Sequence, residues 1–309
     1  MGKIKENRRS KFPAILLAFM MVFTTMPFGI GGGTENVWAA ENAVIEISTA
    51  EGFANMKSDG NYKLVDNIEV TQPYSKSFRG TFDGDGHVIT LKAKVSSGNA
   101  GLFAETSSGA DIRNVIVNAE IESSATSWSG TGGLIGKVNG QTSVRNCGIN
   151  GSVKNISTSS SENYVGGLIG YVYDKCTVSN SFTTCIVENN MVNSSSCTGG
   201  LLGKTSTYSL EVLNCYSSGN VTANKGRAGG ITGYVYSSAS SKHNYVNCYA
   251  AGKVNVTNAS DNACGFAYIY SDSGLNVENC FYNSELNDKS FNKDSTGITG
   301  KSSTELKGL

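Results

Sequence analysis

The chain has 309 residues, 37 of them glycine and only 3 proline, and 16% are charged. So little charge argues against a long coiled coil or a charged disordered tail, and the glycines follow no every-third-residue period, which excludes collagen. Residues 1–40 hold five of the 25 basic and two of the 25 acidic side chains, leaving 20 against 23 and a net charge near −3 beyond them. With no cluster of Lys and Arg there, nucleic-acid binding has no electrostatic basis.

Residues 1–39 read as an export signal. Lys3 to Lys11 form a basic head, Ala14 to Phe23 an apolar run too short for a bilayer span, and Val37-Trp38-Ala39 a small-residue cleavage site. Cleavage is expected after Ala39, with Ala40 the neighbouring alternative. No second apolar segment and no wall-sorting tail is found beyond it. A secreted or surface-held protein is expected, with no membrane contact after signal cleavage.

Residues 41–98 read as an N-terminal cap for a repeat region. Ser48 and Glu51 have capping-box spacing before Phe53 to Met56. Tyr62 to Val70 and Val88 to Val95 read as strands, with a turn over Asp83-Gly84-Asp85-Gly86. Asp83 and Asp85 resemble the start of a calcium loop but lack its downstream ligand, so a plain turn is expected.

Residues 99–287 repeat with a period near 33. Gly132-Gly133-Leu134-Ile135-Gly136 returns at Gly166–Gly170, Gly199–Gly203 and Gly229–Gly233, with weaker copies at Ala100–Ala104 and Cys264–Tyr268. The steps between the Leu-type positions are 32, 34, 33, 30 and 35. A second phrase comes after each first one and centres on Asn114, Asn146, Asn180, Asn214, Asn247 and Asn279. After it, every second residue aligns: Val115, Cys147, Ser181, Cys215, Cys248 and Cys280 first, and Ile121, Val153, Val187, Val221, Val254 and Leu286 last.

That alternation marks strands with one buried face. Three short strands per unit, with no helical stripe, predict an all-β parallel β-solenoid of about six coils, stacked about 4.8 Å apart. One coil cannot bury its own face, but stacking puts like on like and makes a continuous core. The six Asn residues are expected to form a hydrogen-bonded ladder at a bend. Residues 288–309 read as a tail or shortened continuation: Gly297-Ile298-Thr299-Gly300 echoes the first phrase, and no capping segment is legible.

Cys147, Cys215, Cys248 and Cys280 share one inward column as buried thiols or as one disulfide between adjacent coils, either 215–248 or 248–280. Cys176, Cys185, Cys197 and Cys264 fall outside it. There is no zinc spacing, and no metal or cofactor is expected. His243 reads as a surface-loop residue. The acidic residues of the repeats share no column and form no paired cluster, so no catalytic residue is assigned. The loops between coils fall at one place in the period and carry Trp128, Tyr164 and Arg227, the candidate ligand-face residues.

From Ala100 to Leu286 the two phrases resemble the GLUG-motif repeat family, and Gly60–Leu64 with Gly80–His87 resembles the region that precedes such repeats. The resemblance implies a right-handed β-helix in secreted or cell-surface bacterial proteins, including adhesin-like proteins and zinc-type immunoglobulin A peptidases. It implies no catalysis by the repeat itself, and His-Glu-x-x-His is absent here. The expected function is non-enzymatic adhesion or ligand binding, to a host or cell-envelope glycan or protein. The alternatives are a structural spacer within a larger surface protein and a polysaccharide-acting enzyme.

Overall fold

A computed structural model describes residues 43–206, 208–258, 262–293 and 297–308. The expected export signal and cleavage site lie outside these residues. The described chain is a β-solenoid of about six turns, and every pairing between its named strands is parallel. One turn shows the plan. Strand Thr142–Arg145 lies in sheet 1, Gly148–Asn155 in sheet 2, Asn163–Gly166 in sheet 3 and Ile169–Val172 in sheet 4. The next turn begins with Cys176–Ser179 directly beside Thr142–Arg145.

Each turn therefore has four strands rather than three. The Gly-Gly-Leu phrase is a corner, not one strand: sheet 3 ends at Gly132 and sheet 4 begins at Ile135. Leu134 turns into the core and is fully buried. The glycines are needed because backbone occupies the space a side chain would fill. A Cβ on Gly132, Gly166, Gly199 or Gly229 would lie 2.2, 2.0, 1.8 or 2.1 Å from the carbonyl oxygen three residues later. On Gly167 or Gly200 it would lie 2.1 Å from the matching glycine oxygen of the next turn. The repeated phrase thus records close backbone approach within and between turns.

Columns of like residues fill the core. Val144, Val178 and Val212 are register partners in sheet 1, and Val153, Val187, Val221 and Val254 in sheet 2. All seven are buried. The last column ends differently from the sequence alignment. Leu286 is 43% exposed, and Asn287 takes the inward place, where its Oδ1 accepts from the Val254 N–H at 2.9 Å. The amide also donates to the Gly252 and Asn283 oxygens at 3.0 and 3.1 Å, bonds a Leu side chain cannot make.

Both ends of the solenoid are covered by short helices. Residues 44–47, 61–64 and 81–83 are the first three rungs of sheet 1. Helix α1 (Ala50–Ala54) sends Phe53 across the core end, with ring centroids 5.7–6.1 Å from Phe103, Phe82 and Tyr74. Its N-cap is Thr49, whose hydroxyl accepts from the Gly52 N–H, and not Ser48 one residue earlier. At the other end Ile298–Lys301 adds a rung to sheet 2 beside Cys280–Asn283, so the glycine echo at 297–300 is not a corner. Helix α2 (Ser303–Leu306) comes next, with a Ser302–Glu305 capping box and Leu306 buried. Phe291 packs edge-on against Phe266, 6.0 Å between centroids.

His243 is not on a surface loop. It stands in sheet 1 between its register partners Leu210 and Leu275 and is fully buried. Neither ring nitrogen has a hydrogen-bond partner among the described residues. Burial therefore pushes its pKa below the ordinary value, and nearby Ser241 and Ser206 backbone groups offset this only in part. The unfolded chain takes up the proton first, near pH 6.5. Stability is full above that pH and falls as pH drops below it, until the folded-state pKa is passed, at no more than about 1.4 kcal/mol per pH unit. His243→Leu, matching both neighbours in the column, is expected to raise the melting temperature at pH 5 more than at pH 8. Equal shifts at the two pH values would contradict this.

Candidate binding face

The Asn residues form a ladder on the outer corner between sheets 1 and 2. All six have φ between 49° and 55°, the left-handed region that Asn tolerates better than most residues. The amide of Asn146 donates to Asn114, Asn214 to Asn180, Asn247 to Asn214, and Asn279 to Asn247, at 2.7–2.9 Å. Asn114 donates in turn to Asp83 at 3.0 Å. Five of the six amides thus donate to a neighbouring side chain, and among the described residues no such bond joins Asn180 to Asn146.

The turn at Asp83 and Asp85 is equally occupied. Asp83 accepts from Arg113 at 2.8 Å, from Asn114, and from the Asp85 N–H, and Lys63 pairs with Asp85 at 2.8 Å. Partial burial works against ionisation of Asp83, but these hydrogen bonds outweigh it and hold its carboxyl below the ordinary range. Asp111 is bound by Arg113 and, at 2.8 Å, by Arg145. His87 closes the turn with its N–H to the Gly84 oxygen at 2.8 Å.

The eight cysteines are buried free thiols. In the inward column Cys147, Cys215, Cys248 and Cys280 each donate from Sγ to the carbonyl two residues earlier, at 3.2–3.3 Å. Ser181 fills the same place and makes the same bond at 2.8 Å. Burial pushes the thiols of Cys147, Cys176 and Cys185 up to about 12, so they carry no thiolate at neutral pH.

The three candidate ligand-face residues separate. Trp128 is 71% exposed beside sheet 3. Tyr164 is fully buried, because Asn163–Gly166 is a strand covered on both sides and not part of a loop. Arg227 stands two rungs from Tyr164, with Cys197 between them, and lies over the rings of Tyr234 and Tyr268 at 4.5 and 5.6 Å. Both therefore support a surface instead of projecting from it.

That surface is the outer face of sheet 4. Lys137, Tyr171, Lys204 and Tyr234 are successive register partners. Lys204 sits over the Tyr164 ring at 4.4 Å, donates to the Tyr164 hydroxyl at 3.1 Å, and lies 3.6 Å from Glu162. Burial, and then the Tyr164 bond to Glu162 at 2.5 Å, raise the Tyr164 phenol far above its ordinary pKa, so it stays protonated. Beyond this anchored layer lies an exposed one. Tyr236 stacks on Tyr270 at 4.8 Å, Tyr173 meets Tyr208 at 6.2 Å, and Lys137 lies over Tyr173 at 4.9 Å. Tyr173, Tyr208 and Tyr270 are 42%, 44% and 55% exposed.

Sequence reasoning missed this band, although a signal was there. Tyr-apolar-Tyr comes after the first phrase at 171–173, 234–236 and 268–270. The apolar residue between each pair points inward, so the pattern reads as an ordinary strand until the outer neighbours are known. At the corner from sheet 4 to sheet 1 the band meets an open trough of about 650 Å³, lined by Asp111, Gln141, Ser143, Lys175, Thr177 and Glu211 among others.

A parallel β-solenoid with an aromatic, cation-supported outer face is the class that the fold and this surface define. Neither a protein-family model nor a curated protein matches the sequence. Among solved structures, a candidate immunoglobulin A1 protease from Bacteroides ovatus is similar, with a TM-score of 0.63 and 23% identity over 84% of this chain and 85% of that one. The likeness carries the shared fold.

Proposed function

We propose that this chain is an exported, non-enzymatic solenoid of the GLUG-repeat type that binds a partner at the cell surface through the tyrosine face of sheet 4. The observation that carries the reading is the two-layer build of that face. An outer layer of exposed Tyr173, Tyr208 and Tyr270 with half-buried Tyr236 rests on a buried layer held by Lys204, Arg227 and Tyr164. Aromatic rings with few rotatable bonds and supporting cations are what binding surfaces favour, because little side-chain entropy is lost on contact. The non-enzymatic part rests on carboxylate placement. Asp111 and Glu211 in the trough stand three rungs apart. At about 4.8 Å per rung that is about 14 Å, beyond the roughly 5–9.5 Å over which a carboxyl pair acts on one glycosidic bond.

The test is an array of glycans and matrix proteins probed with the purified protein and with Tyr173→Ser/Tyr270→Ser. Saturable binding weakened about tenfold or more by the double variant is expected, a change of about 1.4 kcal/mol or more. A blank array with the wild-type protein folded by circular dichroism would favour a spacer role instead.

A further inference from the structure

We infer that the trough beside the tyrosine face holds a linear, uncharged polysaccharide lying along the solenoid axis. This rests on the binding role proposed above and adds its ligand class.

Three observations lead there. The first is direction. Asp111, Ser143, Thr177 and Glu211 are consecutive register partners on the outer face of sheet 1, so the trough runs across rungs and offers one polar group about every 4.8 Å. A ligand that fits it repeats along one line. An extended peptide would instead seek a free strand edge, and among the described residues the sheet edges lie toward the ends of the stack.

The second is charge. Asp111 is already held by Arg113 and Arg145. That leaves Lys175 and Glu211 as the trough's remaining charges, one of each sign. A polyanion meets Glu211 and a polycation meets Lys175. Gln141, Ser143, Thr177 and Ser209 each donate and accept, which matches a ligand made of hydroxyl groups.

The third is the rim. Tyr173 lies two residues before Lys175 and Tyr208 one before Ser209, at the same corner of consecutive turns. Their exposed rings, 6.2 Å apart, offer apolar surface to the C–H faces of sugar rings while the trough takes the hydroxyls.

The experiment is native gel electrophoresis of the purified protein through gels containing soluble glucan, galactomannan or xyloglucan as uncharged probes, polygalacturonate as an anionic one and chitosan as a cationic one. Wild-type protein is expected to be retarded by at least one uncharged polymer, equally at low and high salt. Thr177→Lys, which places a long side chain in the middle of the trough on an outward position, is expected to weaken that retardation about tenfold or more. Tyr173→Ala/Tyr208→Ala should do the same from the rim, with both variants checked for wild-type circular dichroism. Retardation by charged polymers alone, or undiminished retardation of Thr177→Lys, would overturn the inference. A protein ligand on the array that depends on Tyr173 and Tyr270, with no uncharged polymer retarding the wild type, would overturn it while leaving the binding role intact. No binding in either assay would remove both.

Discussion

Gly199→Ala is expected to abolish the native fold of the middle turns, seen as loss of the cooperative thermal transition in far-ultraviolet circular dichroism. The added Cβ would stand 1.8 Å from the Leu202 oxygen and within 2.6 Å of the Gly233 nitrogen. Both are backbone atoms, one of its own turn and one of the next, so no side chain can rotate away. Relief requires the corner to open. Opening it draws Leu201 and Leu202 out of a core in which both are fully buried and separates sheets 3 and 4 for neighbouring turns as well. An effect above about 4 kcal/mol is expected, the range reserved for such forced backbone movement. Gly86→Ala supplies the contrast. Its Cβ would meet nothing within 4 Å, and only the positive φ of 82° opposes it, so a loss of about 1 kcal/mol is expected. Similar losses for the two variants would mean that backbone packing at the corner is not what the repeated glycines serve.

Asn214 carries the second large effect. Its φ is 54°, its amide donates to Asn180 at 2.9 Å, and its Oδ1 accepts from Asn247 at 2.9 Å. Asn214→Ala puts an unassisted Cβ in the left-handed region, about 1–2 kcal/mol, and removes two ladder bonds worth about 0.5–1.5 kcal/mol each. A loss of about 2–5 kcal/mol is expected. Asn214→Gly removes the same bonds but relieves the backbone, so its loss should be smaller by about 1–2 kcal/mol. Chemical denaturation of the two variants separates the terms. Equal losses would show that the turn conformation contributes nothing and that the ladder alone stabilises.

Much of the fold is legible in the amino-acid sequence. The solenoid emerges from the spacing of the two phrases, and the inward columns from residue alternation. The Asn positions are legible because each repeats at one place in the period. The candidate face is less so. Tyr164 and Arg227 read as loop residues because Ser161 to Asn163 precede the one and Asn224 to Gly226 the other, yet their segments are strands. His243 reads as exposed for the same reason: Ser240, Ser241 and Lys242 precede it, and only pairing with Leu210 and Leu275 places it inside.

The sequence by itself determined the repeat length, the inward columns of the repeats as far as Val254 and the recurrence of glycine at one place in the period. These are local or periodic properties, and stacking copies each of them from one turn to the next. Only the tertiary structure decided which outward residues become neighbours. Tyr236 and Tyr270 are 34 positions apart and stack at 4.8 Å, while Tyr164 and Lys204 are 40 apart and share a hydrogen bond. Register and corner geometry set those distances. A surface assembled from one or two residues of each turn has no contiguous stretch of chain in which to appear.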